Sequence, residues 1–311
     1  MAIDAPPLWP RIMQTSTHLE KTPAARIDPE TALGPVRLTV SDLDRSRAFY
    51  ETAIGLRAGE LEDGALALGV PGGPPLIELR GDSAAPRLNR GAPGLYHLAI
   101  LVPTRLDLAF ALARLVQARW PLDGASDHMV SEALYLSDPD GNGIEIYRDR
   151  PRSEWRHDGH QLQMATLPLD LDGVIAELRR ASELQVEVPG GTRIGHVHLQ
   201  VSDLEGAEAF YHGVLGFDVM VRGYPGALFV SAGGYHHHIG LNTWHSAGRA
   251  PVPAGSVGLR SFTIDLPDGR ELAAVLGRLE AAGIATDRAA GGVLVRDPFA
   301  NGVLLTAPGA Q

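Results

Sequence analysis

The chain has 311 residues, of which 44 % are apolar and 21 % charged, with no cysteine and a formal net charge of −10. That length fits about two domains, and the missing cysteines exclude disulfides, thiolate metal sites, iron–sulfur clusters and a cysteine nucleophile. The acidic balance, the lack of a Lys/Arg stripe and an aromatic content of 6 % argue against a nucleic-acid or anionic-membrane partner.

Residues 1–32 are rich in proline and mixed polar residues and read as a loose N-terminal arm. They hold no apolar run long enough for a signal or spanning helix, so the expected setting is soluble and cytoplasmic. From residue 33 onward the chain repeats itself. Val36–Leu56 (VRLTVSDLDRSRAFYETAIGL) returns as Val197–Phe217 (VHLQVSDLEGAEAFYHGVLGF), and Leu134–Tyr147 (LYLSDPDGNGIEIY) is echoed by Val293–Thr306 (VLVRDPFANGVLLT).

In chain order, each unit opens on an alternating strand followed by an amphipathic helix. Strands Ala65–Val70 and Leu76–Leu79 complete the first unit, and Leu98–Val102 with helix Leu106–Val116 starts the second. A Pro-rich, charged segment over 151–193 then links the halves; it carries one short predicted helix, Leu171–Ala181, and ends in the turn Pro189-Gly190-Gly191. In the third unit His196–Val201 alternates, Ser202-Asp203 can cap a helix with Ala209, Phe210 and Leu215 on its apolar stripe, and strands follow at Ala227–Ser231 and His237–Thr243. Phe262–Leu266 with helix Glu271–Leu279 starts the fourth. The fold class is therefore α+β, with four βαβββ modules in two halves, 33–150 and 194–308.

The VxDLxxSxxFY stretch, the fourfold modularity and the DPxGN turn resemble the vicinal oxygen chelate superfamily, which includes glyoxalases, fosfomycin-modifying enzymes and extradiol dioxygenases. The resemblance implies that modules pair into cups whose curved strands surround a metal, with ligands from the first and last strand of each module. Because Val197, Leu199 and Val201 share one face of their strand, His196, His198 and Gln200 face the cup. The first-strand ligand positions carried over from the family are Pro35, His97, His196 and Ser261; the last-strand positions are Glu78, Glu145, Gly240 and Leu304. Pairing modules two and three gives His97, His196 and Glu145, with Gly240 at the fourth corner. Two histidines and a carboxylate with open positions form the facial triad of non-haem Fe(II) oxygenases, so Fe(II) is the expected metal and Mn(II) the alternative.

The segment His128–Glu145 resembles the extradiol ring-cleavage signature: a histidine, a spacer, an apolar residue, Tyr135, Asp138-Pro139-Asp140-Gly141 and then Glu145. Ser126, two residues before the histidine, departs from the usual pattern. The resemblance implies that His128 and Tyr135 contact the substrate and that an acid–base histidine stands near the start of the last strand of module three. Alignment on Gly240-Leu241 selects His237, whereas strict alternation from Gly240 aims His236 and His238 into the cup. With His237 in that role, His236 is expected to matter little, and His238 and His198 become substrate contacts. The implied activity is insertion of O2 into a catechol beside its diol, giving a hydroxymuconic semialdehyde, as in the two-domain bacterial catechol 2,3-dioxygenases. Its partners are a small aromatic diol and O2, and a homo-oligomer is a further expectation. The alternatives are a glyoxalase-like isomerase and a metal-free protein that sequesters a small molecule.

Overall fold

A computed structural model describes residues 25–61, 64–159, 161–181 and 184–309. Most of the expected arm lies outside the described residues. Module one consists of β1 (Ala32–Val40), α1 (Leu43–Phe49), β2 (Arg57–Glu60), β3 (Leu66–Gly69) and β4 (Pro75–Gly81). Module two follows with β5 (Gly94–Leu101), α2 (Arg105–Gln117), β6 (Gly124–Asp127), β7 (Ser131–Ser137) and β8 (Gly143–Asp149). Between the halves run three two-residue strands, β9 (His157–Asp158), β10 (Gln161–Leu162) and β11 (Leu167–Pro168), and then α3 (Leu171–Glu177). Module three is β12 (Arg193–Gln200), α4 (Leu204–Glu208), β13 (Asp218–Val221), β14 (Ala227–Ser231) and β15 (Ile239–Asn242). Module four is β16 (Gly258–Asp265), α5 (Gly269–Ala281), β17 (Thr286–Ala289), β18 (Gly292–Arg296) and β19 (Gly302–Thr306).

The helix starts follow from local chemistry. Asp42, Thr104, Asp203 and Asp268 each accept from a backbone N–H in the first turn of α1, α2, α4 and α5, and Thr104 forms a full capping box with Asp107. In modules one and three the helix then widens into a π turn, Tyr50–Ile54 and Ala209–Val214.

The strands form two large sheets. One runs β17-β18-β19-β16-β1-β4-β3-β2 and the other β11-β6-β7-β8-β5-β12-β15-β14-β13. Module one therefore pairs with module four, and module two with module three. Each sheet is joined by one antiparallel seam, β1 to β16 (Val36 opposite Phe262) and β5 to β12 (Leu98 opposite Val197). Each half of the sequence gives one module to each sheet.

The core lies on the helix-covered faces. Leu98, Ile100, Ile144, Ile146, Val197 and Leu199 are all buried there, which turns the alternate residues His97, Ala99, Glu145, His196 and His198 to the opposite, concave face.

Two local expectations change. The last strand of module three begins at Ile239 and not at His237, so the histidine triplet precedes the regular strand and alternation does not govern it. The segment 151–193 also does more than connect: β11 pairs with β6 and extends the second sheet, and Leu162, Met164 and Trp155 join an apolar cluster with Val130 and Phe229. Among the described residues no helix is long and apolar enough to cross a membrane.

Candidate metal centre

The register of three strands builds the site. On β5 the central concave residue is Ala99, which pairs with His196 of β12 on one side and with Glu145 of β8 on the other. Its methyl group is short, and the two longer side chains that flank it reach each other: His196 Nε2 is 3.0 Å from Glu145 Oε2. His97, two residues earlier on the same face of β5, places its Nε2 3.0 Å from that same oxygen. All three residues are buried. Metal–ligand bonds of roughly 2.1 Å at right angles give ligand–ligand edges of about 3 Å, so the spacing suits a divalent ion.

The unsatisfied atoms support the same fit. His97 Nε2 is buried and makes no hydrogen bond despite its closeness to Glu145, so its lone pair aims elsewhere than at the carboxylate. A buried nitrogen in that state needs a partner, and an ion between the three residues supplies one. Among the described residues, His97, Glu145 and His196 are the group whose ligand atoms all lie within 4.8 Å of one another.

Electrostatics agree with a neutral His196 and an ionised Glu145. Burial pushes the Glu145 carboxyl up, and the adjacent His196 and His97 together hold it well below the usual carboxylate range. Burial lowers His196 to about 4, against the opposing pull of Glu145. Neutral imidazole and ionised carboxylate are the forms that bind a metal.

The remaining sequence-predicted residues fall into two groups. His128 and Tyr135 sit together beside the cluster: His128 Nε2 is 2.6 Å from Tyr135 Oη, Tyr135 pairs with Glu145 across β7 and β8, and its ring lies 5.6 Å from that of His97. His128 Nδ1 donates to the Ala165 carbonyl at 2.7 Å, so the connecting segment holds this histidine in place. Burial, and then the charge of Glu145, lift the Tyr135 phenol well above its ordinary value. His237 lies with its ring 4.1 Å from that of His196. His198 stands directly opposite His97 across the seam, with ring centroids 5.0 Å apart. It leans over Gly240, where a Cβ would come within 2.9 Å of its ring, so the fourth corner holds no side-chain ligand.

His238 is the residue that the structure does not bring to this group. Its Nδ1 accepts from the Ser231 hydroxyl at 2.9 Å and from the Ala232 N–H at 3.2 Å. His236, expected to matter little, is fully buried and bonded to both His237 and Asp149. Asp149 shares the concave face with Glu145 and Tyr147 by simple alternation along β8, a signal present in the sequence. The small residue Ala99 was also overlooked, because only the strand register reveals what its size permits.

Among the described residues the other sheet has no comparable centre. Glu78, at the last-strand position of module one, is gripped by Arg37 through Nε at 2.7 Å and Nη2 at 3.0 Å, and Arg37 Nη1 also donates to Thr263. A guanidinium supplies the positive charge there.

The model of the Glyoxalase/Bleomycin resistance protein/Dioxygenase superfamily matches residues 32–146 and 193–303. The chain belongs to that superfamily. It is 45 % identical over 276 residues to a protein of Bacillus subtilis (strain 168) named catechol-2,3-dioxygenase, covering 88 % of this chain and 95 % of the relative. Among solved structures it resembles a protein of Bacillus subtilis subsp. subtilis str. 168 provisionally designated a dioxygenase, with a TM-score of 0.63, 15 % identity and coverage of 92 % and 87 % of the two chains. It also resembles glyoxalase I of Zea mays, with a TM-score of 0.54, 16 % identity and coverage of 89 % and 92 %. At such identities these two likenesses concern the fold alone.

Proposed function

We propose that this protein is an Fe(II)-dependent extradiol dioxygenase that cleaves a catechol beside its diol to a hydroxymuconic semialdehyde, with Mn(II) as the alternative metal. The observation that carries this reading is the buried His97–Glu145–His196 cluster, two imidazoles against one carboxylate oxygen with no fourth side-chain ligand at Gly240. The name of the Bacillus relative supports it at the level of overall sequence. The reading includes an aromatic diol and O2 as the two substrates and a cytoplasmic setting.

His97, His196 and Glu145 would hold the ion, which when bound supplies Lewis-acid activation of the catechol and electron transfer to O2. The protein's own groups handle protons and orientation. Burial, then the nearby imidazoles, hold His237 well below the ordinary histidine range, so it rests as a neutral imidazole, and it would take a catechol proton only from a hydroxyl acidified by a bound metal. Tyr135 stays a neutral phenol. Since the Ala165 carbonyl only accepts, His128 carries its proton on Nδ1, and in the neutral ring Nε2 accepts from the Tyr135 hydroxyl. That bond fixes where the Tyr135 oxygen points its remaining lone pairs, toward a substrate hydroxyl in the cup. His198 closes the side beyond His97 and is the second substrate contact.

The test is oxygen uptake by anaerobically Fe(II)-loaded protein over a panel of catechols. One O2 consumed per catechol, with a yellow ring-fission product, is expected. Isomerisation of a methylglyoxal hemithioacetal without oxygen uptake would move the assignment to a glyoxalase-like enzyme.

A further inference from the structure

Asp149, His236 and His237 form a hydrogen-bonded line that ends beside the ligand cluster. His236 Nε2 lies 2.9 Å from Asp149 Oδ1, and His236 Nδ1 lies 2.8 Å from His237 Nδ1. The far end is anchored: Tyr235 donates its hydroxyl to Asp149, 3.1 Å from Oδ1 and 3.0 Å from Oδ2, which leaves Tyr147 as the donor in its 2.7 Å contact with Tyr235. Tyr147, Tyr235, His236 and His237 are all buried. Such a line is not incidental packing, since each buried polar atom along it is satisfied by the next.

The donors and acceptors fix where the protons sit. A carboxylate only accepts, so His236 carries its proton on Nε2. A neutral His236 then presents a bare Nδ1, and the contact to His237 is filled by the proton on His237 Nδ1. His237 is left with a bare Nε2, the nitrogen that the line does not use. The reverse polarity would need a second proton on His236. That would place an imidazolium in a ring with no solvent exposure, 6.0 Å from the ring of His196, where a metal bound by His196 would add further positive charge.

We propose that Asp149 and His236 are positioning residues that set His237 as its Nδ1–H tautomer and so present Nε2 as the proton acceptor for the substrate. The identity of that substrate rests on the dioxygenase reading above; the tautomer rests on hydrogen bonding alone. In the step concerned, the catechol O–H bond breaks, its electron pair stays on oxygen and an Nε2–H bond forms on His237. The same proton returns to the product. Throughout, the Nδ1–H of His237 keeps donating to His236, so the ring cannot rotate or exchange tautomers between turnovers. Without the line, the Nε2–H form becomes available, and that form cannot accept a proton where the substrate needs it.

The experiment has two arms. In protein labelled with 15N-histidine and loaded with Zn(II) as a diamagnetic ion, long-range 1H–15N spectra should show His237 protonated on Nδ1 and His236 on Nε2. His236→Phe should lose the Nδ1–H preference at His237. His236→Asn, whose amide oxygen can take the place of Nδ1, should restore it. In Fe(II)-loaded enzyme, His236→Phe should lower kcat roughly 10- to 100-fold, the usual worth of a residue that orients a site group, with KM and iron content little changed. His236→Asn should recover most of that loss. Should His236→Phe fail to fold, Asp149→Leu at the partly exposed end of the line reports the same link. A native His237 protonated on Nε2, or full kcat in both His236→Phe and Asp149→Leu, overturns the proposal. If the tautomers are as expected and no catechol is turned over by the native enzyme, the dioxygenase reading fails while the positioning role stands.

Discussion

Tyr50 donates its hydroxyl to Asp138 at 3.3 Å, and its repeat Tyr211 does the same to Asp297 at 3.0 Å. The two motifs that recur along the chain, the AFY helix end and the DP turn, are therefore each other's partners. Asp138 and Asp297 also accept from Asn142 and Asn301, which closes each turn. These contacts join module one to module two and module three to module four within each half. The sheets do the opposite and join modules across the halves. The chain is thus interlocked, and neither half owns a complete cup.

Separately expressed halves, 1–150 and 184–311, should each be poorly folded and aggregation-prone. Each would expose the seam edges of two half-sheets, β1 with β5 or β12 with β16. Co-expression should restore a 1:1 complex that binds metal, read by size-exclusion chromatography and metal content. A monomeric, metal-binding half on its own would contradict the shared site.

His97→Ala, Glu145→Ala and His196→Ala should each abolish metal binding, whereas Glu78→Ala should keep it. Glu78 is already bound to Arg37, so its loss leaves a half-buried guanidinium unpaired and should lower stability by about 1–3 kcal/mol. Elemental analysis and chemical denaturation separate the two effects.

Ala99→Leu should empty the site without touching a ligand. The new side chain would occupy the space over which His196 and Glu145 meet. Overpacking of this kind costs about 1–3 kcal/mol, and the metal content should fall to background. Ala99→Gly should retain the metal.

His238 should make the protein sensitive to acid. Burial, and then the nearby charges of His236, His196, Arg152 and Arg193, lower it to about 3, below its ordinary value near 6.5; its Nδ1 accepts from both Ser231 and Ala232. Between those values the unfolded chain binds a proton that the native chain refuses. Stability therefore falls as pH drops below about 6.5, by roughly 1.4 kcal/mol per pH unit for such a group. Urea unfolding at pH 7 and pH 5 should show a loss about 2 kcal/mol smaller in His238→Asn, whose side chain can accept without titrating. An equal loss in both proteins would assign the acid sensitivity to other groups.

The four modules, the Ser202-Asp203 helix cap and the two cup-facing histidines of β12 were legible in the sequence, because alternation and capping are local. The candidate triad was legible too, because Leu304 removes module four and the pairing of modules one and two offers no second histidine beside His97, Glu145 and Glu78. What alternation could not reach was the triplet at 236–238, which precedes the regular strand and is shaped by Asp149, a residue far away in the chain. Nor could it show that the connecting segment holds His128 through the Ala165 carbonyl, or that Ala99 makes room for two ligands. Side-chain identity and period are properties of neighbouring residues, so one chain states them. Which nitrogen faces which oxygen depends on strands brought together from opposite halves, and only the folded register decides that.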